Sequence, residues 1–425
     1  MSVPATTRLV CRIKRSIALT SIYVIQYFLP TPNKHVNIAM QNTEFLIAQG
    51  NTFREQKQPE LALQQYMHAM VKDRFSASAF NNYGNVLREL GDPWGAIPFN
   101  QRAIQLDPNT VTNHFNLAVA YLMSGDYARG WPAYEARHNF EHLKGTLPEY
   151  PWPWWNGEDL QGKTIFVRGE QGHGDIIQFV RFVQNLKNIG ATVTIQVTDA
   201  LVSLVQSSGV GQGVRVLTYN QDPGEHFDYW IPLMSIPGKI NVRVENLPTT
   251  IQYLDPGRQL IEDWRRNLGA KNKLRVGFAW SGRRDSWINQ HKAMPFETML
   301  GLIKSNPDYD WYNLQADCTA EEQQRLTAAG VHCFPGGTPT FADTAGLIAN
   351  LDVVTSVDTA TAHLSAALGK PTWIMLNNYA LCWRWLLNRD DTPWYATARL
   401  FRQPTMGDWD SVVTKINLHL KLFKI

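Results

Sequence analysis

The sequence predicts an α/β protein of two parallel-sheet lobes preceded by an all-α segment. Three observations carry that prediction. Small and large residues recur about every 34 residues near the N-terminus. From Lys163 onward short apolar strands, glycine turns and helical runs alternate, and the same alternation starts afresh at Arg275 after a helical connector. At 425 residues the chain exceeds what one ordinary core supports, so several domains are expected. With 44% hydrophobic and 18% charged residues, those domains should be folded and well packed. A net charge of +3 is too small to make nucleic acid a default partner. Fifteen Trp, many between Trp131 and Trp155 or between Trp373 and Trp409, suit packed loops and domain seams. Cys11, Cys318, Cys333 and Cys382 have neither zinc-site nor disulfide-framework spacing, which points to a reducing, cytoplasmic home.

Residues 1–40 stand apart. Arg8, Arg12, Lys14 and Arg15 precede an apolar run from Ile17 to Leu29, which Pro30 and Pro32 end. The run is shorter than the ~20 residues a bilayer span requires, and no small-x-small cleavage site comes after it. An upstream extension or misassigned start is the preferred reading. A membrane association through residues 8–29 and an export signal are the alternatives.

Residues 41–144 hold the repeats. Gly50 maps onto Gly84 and Ala118, Ala62 onto Ala96 and Gly130, Ala69 onto Ala103, and Phe53 onto Leu87 and Tyr121. Small residues recur where paired helices approach closely; large ones recur where the pair fills its interior. This resembles the tetratricopeptide repeat (TPR), with units over 43–76 and 77–110 and a degenerate third over 111–144. So few repeats bury little alone and are expected to dock onto the domain C-terminal to them. They form either a partner- or acceptor-binding surface or a helical buttress.

The first lobe is expected over residues 145–255, after the Pro- and Trp-rich boundary that begins near Lys144. Its strands are read at Thr164–Arg168, Thr192–Val197, Val214–Leu217 and Tyr229–Ile231. Between the first strand and first helix lies GEQGHGD, with Gly169, Gly172, His173, Gly174 and Asp175. A glycine turn there lies at the carboxyl edge of the sheet, where open α/β folds bind ligands. Its GxxGxG spacing is not the dinucleotide fingerprint. Asp175 is read as the helix N-cap, or as a carboxylate placed to take a proton from an incoming hydroxyl.

The second lobe is expected over residues 256–402, opened by a helix at Asp255–Leu268. Strands are read at Arg275–Trp280, Asp310–Gln315, Val331–Phe334, Leu351–Thr355 and Thr372–Leu376. The unit from Leu351 to Leu376 is a buried strand, a turn at Asp358, a short helix ended by Gly369, and another strand. The helix N-terminus at Thr359–Thr361 offers free N–H groups to an anion. Thr359 and Ala360 are small enough for a diphosphate to approach, with His363 one turn inward. Asp390 and Asp391, beside Arg389 and Arg399, are read as a salt-bridged seam rather than a metal site.

GEQGHGDIIQF (Gly169–Phe179), GFAWSG (Gly277–Gly282), VDTATAHLSAALGKPTW (Val357–Trp373), WRWLLNRDDTPWYATARLFRQ (Trp383–Gln403) and GDWDSV (Gly407–Val412) occur in this order. Together they resemble bacterial TPR proteins with a heptosyltransferase-like module of the glycosyltransferase family 9 type. The resemblance implies a GT-B fold, with the acceptor on the first lobe and a nucleotide sugar on the second. It implies Asp175 as general base and Asp358, Thr359, Ala360 and His363 as the donor diphosphate motif. Ser281 and Gly282 would end the first donor-lobe strand, Lys292 would neutralise the leaving phosphate, and Gln315 would meet the nucleoside. Inverting, metal-independent transfer without a cofactor is implied, as is a final segment, residues 403–425, crossing back over the first lobe. His173 and Lys292 depart from the residues commonest at those places. The implied partners are a nucleotide sugar, an acceptor glycan, lipid or protein, and a protein held by the repeats. The competing reading is a non-catalytic TPR scaffold whose GT-B module only binds nucleotide or has decayed.

Overall fold

The computed structural model describes residues 36–140, 148–224, 226–248, 250–284, 289–334 and 338–423, with side chains from residue 42. The apolar run from Ile17 to Leu29 lies outside the described residues. No described helix is long and apolar enough to cross a membrane.

The chain divides into two compact units, Met1–Ser124 and Gly125–Ile425. The first is built from α1 (Val36–Glu55), α2 (Pro59–Lys72), α3 (Ala77–Glu89), α4 (Pro93–Leu106) and α5 (Val111–Ser124). Pro59 and Pro93 each begin a helix, where a missing N–H costs nothing, and Asp92 caps α4 by accepting from the Gly95 amide at 2.9 Å. Ala62, Ala69, Ala96 and Ala103, the repeating small positions, are all fully buried among Tyr66, Phe80, Tyr83 and Phe99. Arg54 of α1 reaches buried Glu89 of α3, with Nε donating at 2.9 Å, and ties the first two hairpins together.

The third repeat is divided between the two units, its first helix in one and its second in the other. Its second helix, α6 (Tyr127–Tyr134), folds with the second unit. Its Trp131 explains the difference: the indole donates to the Val242 carbonyl at 3.0 Å and packs edge-on against Phe179, Trp383 and Trp394.

The first lobe of this unit has a parallel sheet of order β3-β2-β1-β4. Its strands are β1 (Thr164–Arg168), β2 (Thr192–Val197), β3 (Arg215–Thr218) and β4 (Tyr229–Pro232). The helices α7 (His173–Phe179) and α8 (Val183–Asn188) follow β1 and are separated by one 3₁₀ turn, α9 (Asp199–Ser207) follows β2, and the short α10 (Ile236–Lys239) follows β4. The connector is α11 (Arg258–Leu268).

The second sheet has order β6-β5-β7-β8-β9 and is also entirely parallel. It comprises β5 (Arg275–Ala279), β6 (Asp310–Asn313), β7 (Val353–Val357), β8 (Thr372–Leu376) and β9 (Ala398–Arg402). Among its helices are α12 (Asn289–Lys292), α13 (Phe296–Lys304), α14 (Ala320–Ala328), α15 (Phe341–Ala349), α16 (Ala360–Ala367) and α17 (Trp409–Leu422). Two parallel-sheet lobes in one unit are the GT-B-type architecture.

Two expectations are corrected here. Val331–Phe334 makes only an isolated bridge, His332 to Tyr312, and the fifth strand is Ala398–Arg402 instead. The final helix does not cross back to the first lobe. Val412, Ile416 and Leu420 of α17 are buried with Phe278, Trp373 and Phe401 in the core of the second. An apolar stripe at i, i+4, i+8 is satisfied there, which leaves nothing to drive a crossing.

The segment that does reach the first lobe is Trp383–Tyr395. Trp383 and Trp394 lie against Phe179, while Arg181 donates to the Trp394 carbonyl at 2.6 Å and to the Tyr253 hydroxyl at 2.8 Å.

Candidate active site

Both lobes place their strand–helix turns where the sheet order reverses. In the first, the glycine turn follows β1, next to β4. In the second, the segment after β5 and the turn after β7 flank the switch between neighbouring strands. Such points open a crevice at the carboxyl ends of the strands, because successive helices leave to opposite faces.

On the first lobe Gly172, not Asp175, is the N-cap of α7. The helix starts at His173, so Asp175 falls at the third helical position. Its Oδ2 there accepts the Gly172 N–H at 3.0 Å. The carboxylate still serves the helix start, by reaching back. Its Oδ1 accepts from Arg384 Nη2 at 2.5 Å, and this ion pair joins the two lobes. Arg384 is held in turn by Nε donating to Gln178 at 2.7 Å and by the face of Trp383 at 4.5 Å. Burial alone would lower its pKa; Asp175 and further groups nearby outweigh that and raise it, so the guanidinium stays charged.

Gly174 lies where the backbone of the first lobe comes close to α16 of the second. A Cβ there would lie 3.1 Å from His363 Cδ2 and 3.4 Å from Ala360 Cα. His173 turns its ring toward Phe341 at 4.9 Å, and burial lowers its pKa. Beside the turn, Glu170 is clamped by buried Arg137 at 2.7 and 3.0 Å and accepts from the Met234 amide at 3.0 Å.

On the second lobe, α16 begins after N-cap Thr359, whose side chain makes no cap bond to the helix; its hydroxyl pairs with Ser356 at 3.0 Å. The first-turn N–H groups are therefore not occupied by a cap. Asp358 sits just before them, 3.9 Å from Lys292 Nζ and 3.8 Å from His363 Nε2. Burial pushes the Asp358 carboxyl up, but Lys292, His363 and Arg384 more than offset it and hold the acid below its ordinary range. Lys292 lies over Gly282, with its Cε 3.5 Å from where a Cβ would be.

His363 is only 5% exposed, stacks on Trp385 at 5.2 Å, and shares Nδ1 with the Tyr395 hydroxyl at 2.8 Å. Burial lowers its pKa to about 4, so it is neutral at pH 7 and offers a hydrogen bond rather than a charge.

Ser281 and Gly282 form the segment after β5. Asn289 holds it: Oδ1 accepts the Gly282 N–H at 2.6 Å, and Nδ2 donates to the Ser281 hydroxyl at 3.0 Å. Gln315 faces inward. Its carboxamide oxygen accepts from the Trp280 and Ser281 amides at 3.1 and 3.0 Å, and its nitrogen donates to Asp317. Both ends of that side chain are occupied within the protein. Asp391 pairs with Arg389 at 2.6 Å, consistent with a bridged loop.

Asp175, Gly174, Lys292, Asp358, Ala360 and His363 thus converge, while Gln315 supports from behind. Sequence reasoning missed Arg384, Asn289 and Tyr395. Arg384 lay inside the WRWLLNRDD stretch; its link to Asp175 spans too many residues for any local pattern to reveal.

No family model matches the chain. Protein FlbA of Caulobacter vibrioides is 24% identical over 434 residues, covering 87% of this chain and 71% of that protein. A family 9 glycosyl transferase from Veillonella parvula aligns at 12% identity and TM-score 0.45, over 64% of this chain and 92% of that one. The E. coli ADP-heptose lipopolysaccharide heptosyltransferase II aligns at 13% and 0.45, over 61% and 99%. An O-GlcNAc transferase mutant from Thermobaculum terrenum covers 82% of this chain and 85% of its own, at 12% identity and TM-score 0.29.

Proposed function

We propose that this protein is a glycosyltransferase that moves a sugar from a nucleoside-diphosphate sugar to an acceptor hydroxyl, with inversion and without a metal. The observation that carries the reading is the meeting of Asp175 and the glycine turn with the uncapped start of α16, Lys292 and Asp358. An acid–base group on one lobe faces an anion cradle on the other, which is what displacement of a diphosphate requires. The acceptor oxygen bonds to the anomeric carbon as the bond from that carbon to phosphate breaks. The acceptor's proton passes to Asp175, and the diphosphate leaves toward Lys292 and the α16 amides. Stabilising that leaving charge in a closed crevice is the largest contribution.

Lys292 is held loosely at 3.9 Å from Asp358, so an incoming phosphate oxygen can take it over without breaking a tight pair. Arg384 orients Asp175 and occupies its Oδ1, the oxygen that would otherwise face an acceptor. That ion pair is the one observation favouring the alternative of a nucleotide-binding scaffold without turnover.

Asp175→Asn separates the two readings. It retains an oxygen for the Gly172 amide. Single-turnover transfer, measured after a thermal-shift screen of nucleotide sugars, should fall by ~10²–10⁴ with nucleotide affinity unchanged. Transfer at the wild-type rate would remove Asp175 as base. No transfer by wild type with any donor would favour the scaffold. The helical repeats are assigned a protein-binding role on the same footing.

A further inference from the structure

The two ring nitrogens of His363 meet different surroundings. Cδ2, the carbon bonded to Nε2, lies 3.1 Å from where a Cβ of Gly174 would project, so this edge of the ring meets the glycine turn of the first lobe. Across the ring, Nδ1 lies 2.8 Å from the Tyr395 hydroxyl. A neutral imidazole carries one N–H, on either nitrogen. The hydrogen bond made by one nitrogen decides what the other presents.

Tyr395 is 4% exposed and stands at the end of the segment that reaches the first lobe. Burial pushes its pKa well up, so its hydroxyl keeps a proton to give. Two acceptors compete for that proton: His363 Nδ1 and the oxygen of Tyr253, with which Tyr395 also interacts. Toward Tyr395, Tyr253 can only accept. Its own proton goes to the Ile177 carbonyl at 3.0 Å, and its oxygen already accepts from Arg181 Nη2 at 2.8 Å.

If Tyr395 donated to Tyr253, Nδ1 would have to carry the imidazole proton to keep its contact with Tyr395. Nε2 would then turn a bare lone pair toward Asp358 Oδ1 at 3.8 Å, a carboxylate held below its ordinary pKa and therefore ionised. If Tyr395 donates to Nδ1, an N–H faces that carboxylate instead, and attraction replaces repulsion. An imidazole nitrogen is also far more basic than a phenol oxygen that already serves a guanidinium. Both arguments send the proton the same way.

We propose that Tyr395 is a positioning residue: its hydroxyl donates to Nδ1 and so fixes His363 as the tautomer that carries its proton on Nε2, toward the crevice. Arg181 of the first lobe holds Tyr395 in place, donating to the Trp394 carbonyl at 2.6 Å and lying 4.6 Å from the centre of the Tyr395 ring. The contact that joins the lobes thereby sets what His363 offers. This assignment goes beyond the glycosyltransferase reading. The use of the Nε2 proton, as a neutral donor to a phosphate oxygen beside Lys292, rests on that reading.

The test is heteronuclear NMR of the full chain at neutral pH, with histidine labelled at its ring nitrogens and His363→Gln assigning the signals. A bare ring nitrogen resonates well downfield of a protonated one, and a hydrogen bond donated to it moves it back upfield. Wild type is expected to show a bare Nδ1 and a protonated Nε2. In Tyr395→Phe the ring packing is kept and the donor is gone, so Nδ1 should move further downfield. Tyr253→Phe removes the competing acceptor and should leave Nδ1 bare and hydrogen-bonded. A protonated Nδ1 in wild type would overturn the proposal, and that result needs no variant to fold. So would an Nδ1 signal that stays in place in folded Tyr395→Phe. Inorganic pyrophosphate, the group common to nucleoside diphosphates, is then titrated into wild type, and the Nε2 signal should shift. The assigned tautomer without that shift would count against the glycosyltransferase reading while upholding the assignment.

Discussion

Replacing Arg384 with methionine keeps much of the stem's packing against Trp383 but removes the guanidinium that joins the lobes. Asp175 then loses its 2.5 Å partner and Gln178 a 2.7 Å donor. Breaking a fully buried pair costs ~3–5 kcal/mol. The Asp175 side chain is 24% exposed, so water recovers part of the loss, and about 2–3 kcal/mol is expected. For a unit of this size that lowers the melting temperature by about 3–5 °C. The assay is urea unfolding of the full chain, followed by tryptophan fluorescence, for Arg384→Met, Asp175→Asn and the double variant. Because each single change already breaks the pair, the double variant should lose about 1–2 kcal/mol less than the sum of the two. Single effects that add to within ~0.5 kcal/mol would refute the reasoning, since the two groups would then not sense one another.

Gly174→Ala brings a methyl group to 3.1 Å from His363 and 3.4 Å from Ala360, so the lobes must part slightly; thermal unfolding should show a loss of about 1–2 kcal/mol, and nucleotide affinity should weaken alongside it. Lys292→Ala should reduce nucleoside-diphosphate affinity about ten- to a hundredfold by calorimetry, the worth of one charge-assisted bond, with the melting temperature little changed. His363 has its pKa lowered from 6.5 to about 4, so the unfolded chain binds the extra proton between those values. Its contribution is fully present above about pH 6.5 and is lost as pH falls toward 4, by about 2–4 kcal/mol. The melting temperature of wild type should fall more steeply than that of His363→Gln across this window; parallel curves would count against a buried neutral imidazole.

Local signals carried much of the architecture. Short, mainly apolar runs mark β1, β2, β5, β7 and β8, because a parallel strand buried on both faces is built mostly of apolar residues, and Gly162 and Gly169 add turn signals on either side of β1. The small-residue period marked the helical hairpins for the same kind of reason: close helix approach admits only small side chains at fixed places. Ala398–Arg402 escaped because β9 is an edge strand with an exposed Arg399 and a half-buried Arg402, and so reads as loop. Val331–Phe334 looked like a strand by composition, yet makes a single bridge.

The site divides along the same line. Sequence by itself determined the glycine turn, the Asp358–His363 helix start and the two sheets that carry them, since each is a short stretch whose chemistry is written in consecutive residues. Tertiary structure alone decided that Asp175 is paired with Arg384, that His363 is buried and neutral, and that Gln315 is turned inward. Those properties depend on which groups meet across the crevice and on how much water reaches them. Desolvation and charge pairing are set by neighbours far apart in the chain, and no local pattern encodes them.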